Sequence, residues 1–229
     1  MNGLGDLLSH LEKAGLRPGD HRLYSTALTH ASYVNEQPEA GGDNERLEFL
    51  GDAVLDFLVS DEIYSTHRDL PEGNLTRMRA GIVCEPSLAR CAEALGLDRA
   101  LMLGRGEEST GGRRKPSILA GCMEAVVAAV YLDGGLDAAR RFVAEYVMAV
   151  AATGGDAPTD NKTTLQEALQ ARRPGVEISY RTVAEEGPDH DRTFTVEVAA
   201  NGRTVGRGRG KSKRRAEQEA ARDAISRLN

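Results

Sequence analysis

Glu45, Glu48 and Asp52 stand at i, i+3 and i+7 in the segment Asn44-Glu45-Arg46-Leu47-Glu48-Phe49-Leu50-Gly51-Asp52. Wound as a helix at about 100° per residue, the segment brings the three carboxylates within roughly 60° of one another, with Leu47, Leu50, Val54 and Phe57 on the opposite side. Two such charges about 4 Å apart repel by roughly 4 kcal/mol at an effective dielectric near 20. A grouped set therefore calls for a cation, and a divalent ion held by oxygen ligands suits it. A stripe of three acids can also be the solvated face of an amphipathic helix. Here Phe49 and Leu55 flank the stripe, so the helix is apolar around most of its circumference, which predicts an interior helix with its acids in buried surroundings. A second stretch, residues 118–132, carries Glu124 as its only charged residue. A buried carboxylate of that kind must be neutralised, paired or metal-bound, because leaving it alone costs several kcal/mol.

The elements that must hold these acids read as helices with short breaks. Residues 6–14 and 24–29 form the first two, and Asp43-Asn44 caps a long helix running to about residue 65. Pro71-Glu72-Gly73-Asn74 reads as a turn before a helix over 75–83, and Glu85-Pro86-Ser87 opens another toward residue 95. Residues 104–116 read as a polar glycine-rich loop. Ser117 then caps the apolar helix, which ends at Asp133-Gly134-Gly135, and residues 136–151 form a last helix. Residues 152–161 read as a linker of small and polar residues. Beyond it the period changes to helix 162–171, strands 177–184, 193–199 and 203–208, and helix 212–228. The expected fold is thus an all-α domain over 1–151 and, after the linker, a small α+β domain of order α-β-β-β-α over 162–229.

The 229 residues carry a net charge of −6, with 40% hydrophobic and 28% charged residues and no Trp, which is ordinary for a globular protein built on aliphatic packing. The charge is divided unevenly: residues 161–229 hold 14 Lys+Arg against 10 Asp+Glu, and residues 1–160 hold 15 against 25. This is an acidic body with a basic, nucleic-acid-binding end. Cys84, Cys91 and Cys122 form no C-x-x-C pair and read as reduced packing residues. The five histidines show no H-x-x-x-H spacing, so any metal must rest on oxygen. No signal peptide and no apolar run of membrane-spanning length is visible in the sequence, so a cytoplasmic location and no membrane partner are expected.

Residues 44–53 resemble the signature of the ribonuclease III family, the double-stranded-RNA endonucleases. Leu28-Thr29-His30-Ala31-Ser32-Tyr33, the block from Leu70 to Ala80 and the block from Gly104 to Glu124 are similar to further family blocks in family order. Gly208-Arg209-Gly210-Lys211-Ser212-Lys213-Arg214-Arg215-Ala216-Glu217-Gln218 resembles the end of a double-stranded-RNA-binding domain. The resemblance implies that Glu45, Glu48, Asp52 and Glu124 are acids of the catalytic centre. Glu48, Asp52 and Glu124 would hold Mg²⁺, for which Mn²⁺ can substitute, and Glu45 would orient water or contact the RNA. It implies hydrolysis to 5′-phosphate and 3′-hydroxyl ends, structured precursors such as ribosomal-RNA stems as substrates, and no nucleotide cofactor.

The resemblance further implies RNA-side acids at Glu72 and Glu107, and a homodimer contact at Phe49. In the second domain it implies RNA contacts at Thr163, Gln166 and Glu167, at His190, and at Lys211, Lys213 and Arg214, with Arg215 beside them. One position departs from the pattern: the family's usual Leu-Ala-Asp-x-x-Glu reads Leu119-Ala120-Gly121-Cys122-Met123-Glu124. Either water takes the missing ligand's place, or the centre is impaired and the chain binds duplex RNA with weak or no cleavage. A third reading is an acidic helical scaffold whose basic tail binds RNA nonspecifically.

Overall fold

Small and aliphatic side chains from Leu119 to Val130 are buried almost without interruption, and the first part of the chain is wrapped around the helix they form. The structure is a computed structural model describing residues 3–153, 161–173, 175–188 and 192–228. It divides into two units, residues 1–157 and 158–229. In the first, helices α1 (Gly3–Lys13), α2 (His21–Ala27), α3 (Ala31–Glu36), α4 (Glu45–Thr66), α5 (Glu72–Val83) and α6 (Glu85–Ala94) are followed by the short α7 (Leu97–Ala100) and α8 (Arg105–Ser109). Then come α9 (Pro116–Val143), a π turn over Ala144–Met148, and α10 (Ala149–Thr153). α4, α6 and α2 pack against α9.

The contact between α4 and α9 is closest at Gly51, where a Cβ would overlap the carbonyl oxygen of Glu124. Only glycine lets two helix backbones meet in this way. The expected break at Asp133-Gly134-Gly135 is a kink: Gly135 takes φ 76° and ψ −175° within the continuous stretch of α9. Asp133 beside it accepts hydrogen bonds from the N–H groups of Gly19 (2.7 Å) and Asp20 (2.9 Å) and from the Tyr24 hydroxyl (2.8 Å), tying this end of the helix to α2.

Several expectations need correction. The segment 104–116 is not a loop throughout but contains α8 and a 3-10 turn over Gly112–Arg114. Glu72 opens α5 and is not part of a turn before it, and Lys115 and Pro116, not Ser117, begin α9. Phe57, expected on the apolar side of α4, is 53% exposed, and Phe49 is 82% exposed. The stretch Pro116–Ala151 is also long and apolar enough by composition to cross a membrane, against the sequence reading. Its apolar residues instead form the core of this unit.

The second unit has α11 (Asn161–Arg172), β1 (Ile178–Glu186), β2 (Thr193–Ala200), β3 (Arg203–Gly210) and α12 (Lys213–Ser226), the expected α-β-β-β-α order. The antiparallel sheet runs β1-β2-β3. Asn201 (φ 47°) and Gly202 (φ 78°) make the two-residue turn between β2 and β3. Leu165, Leu169, Val196 and Val198 pack with Ala216, Ala220, Ala221 and Ala224 of α12. Gly206, Gly208 and Gly210 alternate along β3 and let α12 lie on its backbone: a Cβ at Gly206 would stand 2.7 Å from the Ala224 nitrogen, and one at Gly210 2.6 Å from that of Ala216. Most of the expected linker, residues 154–160, lies outside the described residues.

Candidate active site and nucleic-acid interface

The start of α4 is held by residues just before it. Asp43 accepts the Glu45 N–H (3.2 Å). Asn44, 3% exposed, caps nothing with its side chain. Its amide instead donates to the Ala27 carbonyl (3.3 Å) and its N–H to that of Thr29 (2.9 Å). The first turn of α4 is thereby bolted to the end of α2, and Glu45 and Glu48 lie at the helix end where negative charge is favoured.

Glu48 and Glu124 are partly buried, while Glu45 and Asp52 are exposed. This corrects the expectation of buried surroundings for the whole stripe: α4 packs on one side, and its acids run along the edge of that contact. Burial, then the charges of Asp52, Glu48 and Asp56, push the Glu124 carboxyl up to about 7. Burial, then Glu45, raise that of Glu48, with His30 opposing and Asp52 adding. The structure thus brings Glu48, Asp52 and Glu124 into mutual electrostatic reach across the seam of α4 and α9, with Glu45 coupled to Glu48. It adds Asp56, which sequence reasoning missed although its place one turn beyond Asp52 was a usable signal.

Among the described residues, no ion pair engages any of these five carboxylates. An oxygen-only, cation-deficient set of this kind fits a hard divalent ion. Among the described residues, however, no three metal-ligating side chains converge on one point as they stand. One reason is Glu48. Its carboxylate lies over Gly121, so that a Cβ there would be 2.6 Å from Oε2 and 2.8 Å from Cδ. The space left by the missing side chain at 121 is occupied by the Glu48 carboxylate.

Glu72 lines a groove of about 350 Å³ between α4 and α5 together with Phe57, Ile63, Tyr64, Leu75 and Arg79. Its carboxylate accepts the Thr76 hydroxyl at 2.7 Å, and it is not among the charges acting on Glu48 or Glu124. Glu107, on α8, is paired with the Lys115 ammonium at 2.6 Å, which holds its carboxyl below the usual range. Phe49, Phe57 and Tyr64 are all exposed on α4.

In the second unit, Ser212 caps α12 by accepting the Arg215 N–H (3.2 Å). Lys211, Lys213, Arg214 and Arg215 are exposed around that helix end, where backbone N–H groups and cations together favour phosphate. Lys213 pairs with Glu185 (3.1 Å) and stands 5.6 Å from the centre of the Phe194 ring. Gln166 of α11 and Arg214 of α12 line one cavity of about 650 Å³ with Lys162, Tyr180 and Gln218. Glu167 is exposed on α11. Thr163 lies in the first turn of α11, its side chain outside the described residues, and His190 is likewise outside them.

Comparison with known proteins agrees with both units. Residues 20–150 match the family described as Ribonuclease-III-like, and residues 161–228 match the double-stranded RNA binding motif. Ribonuclease 3 of Desulforamulus reducens is 47% identical over 219 residues, covering 94% of this chain and 89% of that protein. Ribonuclease 3 of Caldanaerobacter subterraneus is 46% identical over 225 residues, covering 97% and 98%. Among solved structures, a nuclease domain of ribonuclease III from Campylobacter jejuni, described by its flexibility in the region of dimer formation, aligns with a TM-score of 0.57 at 35% identity, covering 63% of this chain and 95% of that one. A nuclease-family match over the first unit and a duplex-RNA-binding motif over the second set aside the scaffold reading: the chain belongs to the ribonuclease III family of double-stranded-RNA endonucleases.

Proposed function

We propose that the chain hydrolyses phosphodiester bonds of duplex RNA with Mg²⁺ as the working ion and Mn²⁺ able to replace it, leaving 5′-phosphate and 3′-hydroxyl ends. Its substrates are structured precursors such as ribosomal-RNA stems, processed in the cytoplasm. The observation that carries this reading is the set of carboxylates Glu48, Asp52 and Glu124 along one helix seam, lacking any ion-pair partner among the described residues.

Those three residues would hold the ion, which when bound supplies positive charge beside the scissile phosphate and makes water a stronger acid. Glu124, whose carboxyl titrates near neutrality, must give up its proton to serve as a ligand. Glu45, exposed at the start of α4, orients water or meets the RNA. The second unit supplies the grip: duplex RNA is recognised mainly by shape, through 2′-hydroxyls of the minor groove and phosphates across the major groove. Lys211, Lys213 and Arg214 take the phosphates, and Thr163, Gln166, Glu167 and His190 the minor groove.

The working state is a homodimer. Phe49, 82% exposed on α4, has no place in the core of its own chain, and the apolar groove beside Phe57 and Tyr64 offers a second copy a matching surface. A two-fold pair of this kind presents one acidic centre to each RNA strand. The test is Glu124→Gln and Asp52→Asn assayed on labelled duplex RNA in Mg²⁺. Both variants should bind the duplex as the parent does and lose cleavage by a factor of about 100 or more. Cleavage at the parental rate by either would show that the centre lies elsewhere.

A further inference from the structure

Glu185, near the end of β1, has no part in the proposed chemistry or grip, yet it stands beside the helix end that takes the phosphates. Across the sheet Glu185 is the register partner of Phe194 on β2, and Phe194 that of Gly210 on β3. Directly opposed residues of antiparallel strands share a face, and Phe194 packs on the core that α12 helps to form. At the third place of this row Gly210 has no side chain: a Cβ there would stand 2.8 Å from that of Arg215. The first turn of α12 therefore comes down onto the row. Lys213 reaches back along it, its ammonium 5.6 Å from the centre of the Phe194 ring and 3.1 Å from Oε1 of Glu185.

The other oxygen of that carboxylate, Oε2, is 3.5 Å from the guanidinium of Arg192, the residue just before β2. The side chains of Lys213 and Glu185 are 60% and 38% exposed. A pair so open to water changes an equilibrium by at most a factor of about five, too little to hold the fold. Nor is it needed to place the lysine, whose backbone is fixed by the Ser212 cap and whose ammonium also has the Phe194 ring beside it. What remains is electrostatic. The Glu185 carboxylate fills the place on the ammonium that a phosphate oxygen would take, and it repels a phosphate brought alongside.

We infer that Glu185 is a built-in competitor of the RNA backbone: in the RNA-free protein it occupies Lys213, with Arg192 holding its second oxygen, and a phosphate that takes Lys213 displaces it. The residue thereby lowers affinity for duplex RNA. It also flattens the salt dependence, because a lysine that leaves one acid for another adds less to the net neutralisation of the backbone. This rests on the assignment of Lys213 to the phosphates. Glu186, the next residue, provides an internal comparison: it pairs with Arg209 at 2.6 Å and, by alternation along the strand, on the opposite face of the sheet.

The experiment measures, in EDTA and over a range of salt, the affinity of the full-length chain for a duplex RNA longer than about 16 bp, together with melting temperature. The variants are Glu185→Gln, Glu186→Gln, Lys213→Ala and the double variant Glu185→Gln with Lys213→Ala. Glu185→Gln should melt as the parent does, bind about three- to fivefold more tightly near 0.1 M salt, and steepen the slope of log K against log salt by about one contact. Glu186→Gln changes the net charge equally but should gain less than about twofold. In the Lys213→Ala background, Glu185→Gln should gain no more than Glu186→Gln does in the parent. Affinity of Glu185→Gln equal to the parent's or below it overturns the inference, as does a gain that persists undiminished in Lys213→Ala. Lys213→Ala keeps the two questions apart: weaker and flatter binding by it beside an unchanged Glu185→Gln overturns the role of Glu185 alone, whereas parental affinity and slope in Lys213→Ala overturn the phosphate assignment and the inference with it.

Discussion

Glu48 and Gly121 share one volume, and that decides what a side chain at 121 would do. An Asp there must move the Glu48 carboxylate, since its Cβ would stand 2.6 Å from Oε2. The obstacle is the far end of a flexible side chain, so the shift is cheap, and the gain of a Cβ in mid-helix is worth several tenths of a kcal/mol. Gly121→Asp should therefore fold, place another carboxylate one turn from Glu124, and lower the Mg²⁺ concentration for half-maximal cleavage. An unchanged metal dependence would mean that position 121 does not face the ion. Glu124 makes a separate prediction for the metal-free protein. Its carboxyl is raised from 4.5 to about 7 in the folded state, so ionising it costs nothing below pH 4.5, costs progressively more up to pH 7, and levels off above. After allowance for solvent screening, that cost is about 1 kcal/mol. In EDTA, the melting temperature of Glu124→Gln relative to the parent should thus rise by about 2–4 °C between pH 5 and pH 8. A pH-independent difference would remove burial and like charge as the cause.

The seam between α4 and α9 is set by Gly51, where an added methyl would meet backbone, not a side chain that can turn aside. Gly51→Ala should separate the two helices, lower stability by about 2–3 kcal/mol, and reduce cleavage by moving Glu48 and Asp52 away from Glu124. A urea midpoint equal to the parent's would show that the contact is not tight. The acids of both helices were legible in the sequence because a 3.6-residue period places Glu45, Glu48 and Asp52 together and isolates Glu124 in an apolar run. What was not legible depends on partners remote in the chain. α8 is held by the Gly104 N–H on Ser32 and the Gly106 N–H on Glu36 (3.3 Å), about 70 residues away, and glycine-rich composition alone reads as loop. Asn44 looked like a cap, but its amide is engaged with the end of α2. Phe57 has the period of a core residue and yet is exposed, because it lines the open groove between α4 and α5 and not the seam with α9.

Two units with separate cores put the proposed dimer contact and the proposed RNA grip on different parts of the chain. Phe49→Asp should therefore convert a dimer to a monomer in light scattering, lower cleavage of duplex RNA sharply, and leave the far-ultraviolet circular dichroism of the protein unchanged, since Phe49 supports nothing in its own core. A dimer of unchanged mass would remove Phe49 from the interface. The RNA-binding unit carries a different kind of constraint. Along β3 the inward positions are Gly206, Gly208 and Gly210, pressed against an alanine-lined helix, while Arg207 and Arg209 point away and are exposed. These three positions are already at their smallest, so heritable change at them cannot proceed through size. Change is left to the exchange of charge on the outer positions, and a lineage adapting this domain to new RNAs would rewrite its arginines while its glycines and alanines stay fixed.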